Sequence, residues 1–446
     1  MGRYLTLLLL VLQIATAQTI RKNSTEPLLA KSKTLVTLMA QDQFDSATVN
    51  FDATMKQALP ASKLKEVWRS LQLQGGTFRK ILGTRTEAKG VYQIVYVVCQ
   101  FEKMKLDAKV VFNEKGQIAG LFFLPSKGLT GWKAPDYVHE EAFTKVDTLK
   151  LPNAWHLPAT LSLPINGGPF PAVVLVHGSG PNDRDESIGP NKPFKDLAWG
   201  LASRGIAVLR YEKRTRMYAH QMDSLKNKMT VNEETIEDAL SAVSLLRKTP
   251  EINPDQVVVL GHSLGGYLIP RIAPLYPRIA GFIIMAGPTR PLTELILDQL
   301  QYIYNLDGKM TAQEQEQLSV MQTKVKRAED AQLSLNTADS LLPFGVPATY
   351  WLDLQRYDPL KAVVRIRKPL LILQGGRDYQ VTMKDYKGWK QALKNRSNAT
   401  FALFPSLNHL FISGKGKSIP GEYENPGHVS VKVIHKISNW IHEKIK

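Results

Sequence analysis

The chain is 446 residues long, 43% hydrophobic and 22% charged, with 57 Lys and Arg against 40 Asp and Glu for a formal net charge of +17. This composition excludes a disordered chain. The single cysteine, Cys99, excludes a disulfide framework, a thiolate zinc site and a cysteine-ligated iron–sulfur cluster. The basic excess is spread along the sequence without a basic run or an aromatic-interleaved stripe, so it reads as an ordinary basic surface and no nucleic-acid partner is expected.

Residues 1–17, MGRYLTLLLLVLQIATA, place Arg3 ahead of an apolar run from Leu5 to Ile14, and Ala15 and Ala17 supply a small-residue cleavage pattern before Gln18. The run is shorter than the ~20 apolar residues that a spanning helix needs. The expectation is a signal peptide and an exported chain, periplasmic or extracellular, without stable membrane insertion after cleavage. A first domain is expected over residues 35–127. Leu35, Leu38 and Met39 begin a helical pattern, and Leu64, Val67, Trp68 and Leu71 recur at helical spacing. Val91–Phe101, Ala108–Phe112 and Ile118–Phe123 then read as an antiparallel meander, the last two flanking the turn Asn113-Glu114-Lys115-Gly116. This is an α+β pattern without catalytic spacing of His, Asp, Glu or Ser, and it reads as a binding or spacer module.

Residues 143–446 change to alternating strands and helices. The short apolar runs Ala172–Val176, Ile206–Arg210, Gln256–Leu260, Gly281–Met285 and Leu370–Gln374 read as buried strands. Between them, Thr230-x-x-Glu233 forms a capping box ahead of a helix with Ile236, Leu240, Val243 and Leu246 on one face. Such alternation predicts a mostly parallel sheet flanked by helices. Residues 288–358 interrupt it with helical patterns alone, at Leu292, Leu295, Ile296, Gln299 and Ile303 and after the capping box Thr311-x-x-Glu314. This interval reads as a helical cap over the strand ends, forming one wall of an acyl pocket.

Gly261-His262-Ser263-Leu264-Gly265-Gly266 directly follows the strand VVVL. A serine between two glycines at a strand-to-helix turn is lifted out of the sheet, with helix N-terminal N–H groups beside it. Serine needs a base held by an acid. LLILQGGRDYQV places Asp378 in a turn after a strand, and ATFALFPSLNHLF places His409 in a loop after the next. The catalytic set is therefore Ser263, Asp378 and His409, in that chain order. His428 and His435 are weaker rivals for the base, and Asp385, inside the next helix, for the acid. Oxyanion donors are expected from the backbone N–H groups of Leu264 and Ser179, with Gly180 in place of Ser179 if the His177-Gly178-Ser179-Gly180 turn is offset. Asp183-Arg184-Asp185-Glu186 reads as ordering that loop through ion pairs or, as the lesser alternative, touching a polar substrate. Tyr211-Glu212-Lys213-Arg214 reads as a solvated loop or a substrate contact. HExxH, GxxxxGK[ST], zinc spacings and a helix-opening GxGxxG are missing from the sequence, and neither metal nor cofactor is expected.

The marks HGSGPNDRDES, GHSLGG, LQGGRDYQV and FPSLNHLF make residues 143–446 resemble carboxylesterase-type α/β-hydrolases. More narrowly, the chain resembles secreted bacterial esterases in which a small α+β domain of unknown function, here residues 35–125, precedes the hydrolase. Such relatives show a Tyr-Asp-Lys-Arg-Gly-type stretch where this chain has Tyr211-Glu212-Lys213-Arg214-Thr215, which puts the local loop geometry in doubt. The resemblance implies an α/β-hydrolase fold and a serine hydrolase cleaving small-molecule or glycan-linked carboxylic esters through an acyl-enzyme. Alternatives on the same triad are a serine exopeptidase and an acyltransferase or polysaccharide deacetylase, and beyond them an idle hydrolase fold that only binds. Oligomeric state is not legible.

Overall fold

A computed structural model describes residues 26–89, 92–126, 132–225 and 228–445. The expected signal peptide lies outside them. The chain divides into two compact units, the first comprising residues to Lys133 together with Tyr423–Pro426 and the second the remainder.

The first unit begins with four helices, α1 (Glu26–Ala40), α2 (Phe44–Ala47), α3 (Ala53–Ala58) and α4 (Ala61–Gly75). An antiparallel meander follows, β1 (Phe78–Lys89), β2 (Tyr92–Phe101), β3 (Lys105–Phe112) and β4 (Ile118–Pro125), in that spatial order. Leu64 and Trp68, one helical turn apart on α4, are buried, and Trp68 packs at ring-centroid distances of 5.6 Å from Phe78 and 5.4 Å from Phe101. The helical period on α4 and the two-residue period on β2 thus meet in one aromatic core.

The second unit opens with β5 (Phe143–Lys150), β6 (Pro158–Pro164), β7 (Phe170–Val176), α5 (Pro193–Ala202) and β8 (Ala207–Tyr211). Next come the short α6 (Arg214–Met217) and α7 (Ala219–Ser224), then α8 (Glu237–Arg247), β9 (Ile252–His262), α9 (Leu264–Ile272) and β10 (Gly281–Met285). The helical interval contains α10 (Leu292–Tyr304), α11 (Ala312–Ala328), α12 (Ala348–Gln355) and α13 (Pro359–Val363). The unit ends with β11 (Leu370–Gly375), α14 (Met383–Ala392), β12 (Ala399–Phe404) and α15 (Val431–Lys444).

Its eight strands run β12-β11-β10-β9-β7-β8-β6-β5, parallel from β12 through β8, with β6 and β5 antiparallel at one edge. Every residue of β8, β10 and β11 is buried, as helices on both faces require, Arg210 and Gln374 among the apolar residues. The sequence did not signal β5, a largely exposed edge strand rich in Thr and Lys, or β6, a mostly buried strand that begins and ends on a proline. Among the described residues no helix is long and apolar enough to cross a membrane.

Helix starts follow local chemistry. Thr311 and Glu314 form a reciprocal capping box at α11. At Thr230 the Glu233 carboxylate does accept the Thr230 N–H at 2.7 Å, but the Thr230 hydroxyl accepts from Asn232 instead of Glu233, and the chain makes a π turn over Asn232–Ile236 before α8. The expected box is therefore half formed, its wide turn absorbing the missing reciprocal bond.

Leu209 in β8 is fully buried in the core of the second unit, whereas Leu335 is 67% exposed. We expect Leu209→Ala to lower the stability of this unit by about 2–5 kcal/mol and Leu335→Ala to change it by less than about 0.5 kcal/mol, read from urea midpoints.

Candidate active site

The carboxyl ends of β7, β9, β11 and β12 each feed a loop that carries one part of the site. At the end of β9, Ser263 takes φ +52° and ψ −117°, a backbone conformation that a β-carbon disfavours. The turn is held by the Ser263 N–H donating to the Met285 carbonyl at 3.0 Å and by the Tyr267 N–H donating to the Ser263 carbonyl at 2.9 Å. Between Gly261 and Pro270 only Ser263 is not buried. A β-carbon on Gly265 would lie 2.3 Å from the Val176 carbonyl oxygen, so the absence of a side chain there lets α9 start directly against β7. Leu264 is the first residue of α9, and its N–H has no carbonyl within the helix to pair with.

Asp378 and His409 meet as the chain order implied. His409 Nδ1 lies 2.7 Å from Asp378 Oδ2, and both side chains are almost fully buried. The other Asp378 oxygen accepts from the N–H groups of Gln380 (2.8 Å) and Val381 (3.0 Å), which fixes the carboxylate in its turn. The base loop passes close by. A β-carbon on Gly375 would come within 2.6 Å of the Leu407 and Asn408 carbonyl oxygens. Arg377 secures the far side by donating to the Gly416 carbonyl at 2.7 Å and pairing with Glu422.

The rivals have other duties. Asp385 accepts from the Thr289 N–H at 2.9 Å and pairs with Arg290 at 3.0 Å. His428 faces Asp196 at 3.0 Å, and His435 lies within α15.

In the loop after β7, Ser179 and Gly180 are exposed, Gly180 at φ +89°. The Gly178 N–H is already committed, donating to Glu186 Oε1 at 2.6 Å. The charged tail orders this loop through ion pairs. Asp183 accepts from the Asp185 and Ser187 N–H groups, Arg184 meets Glu212 at 2.7 Å, and Asp185 binds Lys192 at 2.8 Å and also Arg210.

Lys213 and Arg214 correct the sequence reading of a solvated loop. Both are buried. Lys213 Nζ donates to the Gly178 carbonyl at 2.8 Å and pairs with Glu234 at 2.5 Å, and Glu234 in turn accepts from the Tyr350 hydroxyl at 2.6 Å. Arg214 pairs with Asp238 through two nitrogens, at 2.8 and 2.5 Å. Residues of opposite charge on β8's exit, on the turn before α8 and on α8 face one another, and burial without these partners would cost several kcal/mol, on the order of 3–5 per broken pair.

Sequence reasoning also passed over His262. Its Nδ1 lies 2.8 Å from Glu186 Oε2 and its Nε2 3.0 Å from the His409 carbonyl. Burial opposes charge on this ring, but the Glu186 carboxylate and the His409 carbonyl outweigh it and hold His262 above its ordinary value. Burial likewise opposes charge on Glu186, and His262, His177 and the Gly178 N–H outweigh it, holding the carboxyl below its ordinary value. His177 behaves oppositely. Burial, aided by Lys213, takes it down to about 4 against the pull of Glu186.

Helix α10 reaches the acid loop. The Tyr302 ring stacks on Tyr379 at 5.0 Å and 6°, its hydroxyl donates to the Ser418 carbonyl at 2.9 Å, and Gln299 donates to the Gln380 carbonyl at 3.1 Å.

Gly265→Ala is expected to cost about 1–3 kcal/mol in stability, because the neighbour its β-carbon meets is strand backbone, which cannot swing aside. Thermal unfolding beside a side-chain change at exposed Leu335 checks this.

Residues 32–121 match the family described as Protein of unknown function (DUF3887), and residues 169–415 match the family described as Serine aminopeptidase, S33. Esterase EstD of Thermotoga maritima is 40% identical over 403 residues, covering 90% of this chain and 92% of that protein. The acylamino-acid-releasing enzyme of Rattus norvegicus is 22% identical over 254 residues, covering 56% of this chain and 30% of that protein. Among solved structures, the acylaminoacyl peptidase of Pyrococcus horikoshii is similar with a TM-score of 0.46 and 14% identity, covering 83% of this chain and 51% of that one. With a buried acid–imidazole pair, a serine on a tight strand-to-helix turn and homology across nine-tenths of its length, the chain belongs to the serine aminopeptidase S33 family of α/β-hydrolases and is a homologue of Esterase EstD.

Proposed function

We propose that this chain hydrolyses carboxylic esters through an acyl-enzyme formed on Ser263. The observation that carries the reading is the 2.7 Å bond between His409 Nδ1 and the buried Asp378 carboxylate. That bond leaves Nε2 as the basic nitrogen, the tautomer that a serine base requires. The 40% identity to Esterase EstD supports ester over amide as the scissile bond.

In this mechanism His409 takes the proton of Ser263 as its Oγ attacks the acyl carbon, and Asp378 stabilises the imidazolium that forms. The oxyanion is held by the N–H groups of Leu264 and Ser179, with Gly180 as the offset alternative. The Gly178 N–H is occupied by Glu186, which supports assigning the donor further along the loop. His409 then gives its proton to the departing alcohol, and water releases the acyl group by the reverse sequence. Each oxyanion donor contributes about 2.7–4 kcal/mol to lowering the barrier.

Purified protein on short p-nitrophenyl esters tests the reading. Ser263→Ala is expected to abolish turnover and fluorophosphonate labelling, and Asp378→Asn to lower kcat by about 10⁴-fold. Undiminished turnover by Ser263→Ala refutes it. The match to the serine aminopeptidase family makes an exopeptidase the second reading, and aminoacyl amides assayed beside the esters discriminate between them.

The helices of the 288–358 interval are proposed as one wall of the acyl pocket, supported by the contacts of α10 with the Asp378 turn. Trimming Tyr302 to Ala is expected to change the preference between acetyl and octanoyl esters, and an unchanged ratio counts against the wall. The proposed location is outside the cytoplasm, on the strength of residues 1–17. N-terminal sequencing of the exported chain should begin at Gln18.

A further inference from the structure

We propose that Glu186 and His262 form a charged clamp that positions His409 and ties the nucleophile, base and oxyanion loops into one body. The inference rests on the ester-hydrolase reading above for its catalytic consequence, but not for its geometry.

Both ring nitrogens of His262 face groups that only accept. Nδ1 meets a Glu186 carboxylate oxygen at 2.8 Å, and Nε2 meets the His409 carbonyl oxygen at 3.0 Å. A carbonyl has no proton to give, and Glu186, whose other oxygen takes the Gly178 N–H, is held below its ordinary carboxyl value and faces Nδ1 as a carboxylate, so each nitrogen carries a proton. His262 is therefore an imidazolium, neutralised by Glu186, with both side chains at 4% exposure or less. Each of its bonds crosses to a different loop. The ring itself precedes Ser263, Glu186 holds the Gly178 N–H in the β7 exit loop, and Nε2–H holds the backbone of the base.

The other groups facing this pair agree with that charge state. The His409 ring lies 4.7 Å from the His262 ring, with Asp378 behind it. His177 is held neutral by burial and Lys213, while the Lys213 ammonium is engaged by the Gly178 carbonyl and Glu234. Phe194 closes the remaining side, its ring 6.4 Å away. His262 thus has Glu186 as its directly bonded counter-ion.

Deprotonation breaks the clamp in a defined way. Glu186 retains the Nδ1 proton because the carboxylate is the stronger acceptor. Nε2 then turns a lone pair toward the His409 carbonyl, and two acceptors face each other where a hydrogen bond had been. The base loop loses its tether, so kcat falls as pH rises through the elevated pKa of His262.

Glu186→Gln separates charge from shape. The amide oxygen still accepts from Gly178, and a neutral His262 still donates through Nε2, but nothing holds the ring protonated. Because the neutral ring keeps its Nε2–H on the His409 carbonyl, we expect the alkaline limb of kcat that His262 causes in wild type to disappear, with KM changed less than kcat and Ser263 still labelled by fluorophosphonate. A labelled variant that keeps the wild-type alkaline limb, whether its kcat is unchanged or uniformly lowered, overturns the clamp and leaves a structural role only. If the variant does not fold, nitrogen-15 spectra of histidine-labelled wild type decide. They should show an exchange-protected ring that keeps both nitrogens protonated above the ordinary histidine value of about 6.5. Finding no such ring overturns the clamp. Wild type lacking both ester turnover and labelling sinks the ester-hydrolase reading instead, and the ring spectrum still judges the clamp.

Discussion

A parallel strand buried on both faces tolerates a charged side chain only with a buried partner, as Arg210 of β8 has in Asp185, so the reacting groups collect where the strands stop. That constraint organises the hydrolase unit. The runs over β8, β10 and β11 are buried from end to end, and the site's polar groups follow the last residues of β7, β9, β11 and β12. The sheet contributes rigidity, and the loops at its carboxyl edge contribute the reacting groups. A strained turn at Ser263 persists because backbone hydrogen bonds from two sides, and the close approach of Gly265 to β7, leave it no relaxed alternative.

Much of this was legible in the sequence, for a local reason. Ser263, Asp378 and His409 each follow an apolar run, and their order along the chain matches the order in which a doubly covered sheet presents its loops. Ranking Asp385 and His428 below them needed only their position relative to a strand. The structure explains both in other terms, Asp385 as the partner of Arg290 and His428 as the partner of Asp196.

What stayed hidden depends on strand order. β9 lies beside β7, although β8 comes between them in the chain. Only that crossover brings the loop holding Glu186 against His262, 76 positions away. The burial of Lys213 has the same origin, since its counter-ion Glu234 comes from the turn leading into α8. A basic tetrapeptide after a strand reads as solvent-facing until the acidic partner across from it is known, and periodicity carries no information about such pairs. The half-formed capping box at Thr230 is subtler. The motif was present, but the residues after it also supply the buried Glu234 and Ile236, and placing those took precedence over an ideal first turn.

The parallel stack of Tyr302 on Tyr379 has a mechanical corollary. Tyr379 is the immediate neighbour of the carboxylate that orients the imidazole, and α10 grips the same turn through Gln299 and the strand-distal chain through Tyr302. A helix riveted to the turn of Asp378 is ill suited to swing alone, since any swing would drag the carboxylate out of register. Either α10 and the Asp378 turn move together, or the stack and both hydrogen bonds must break.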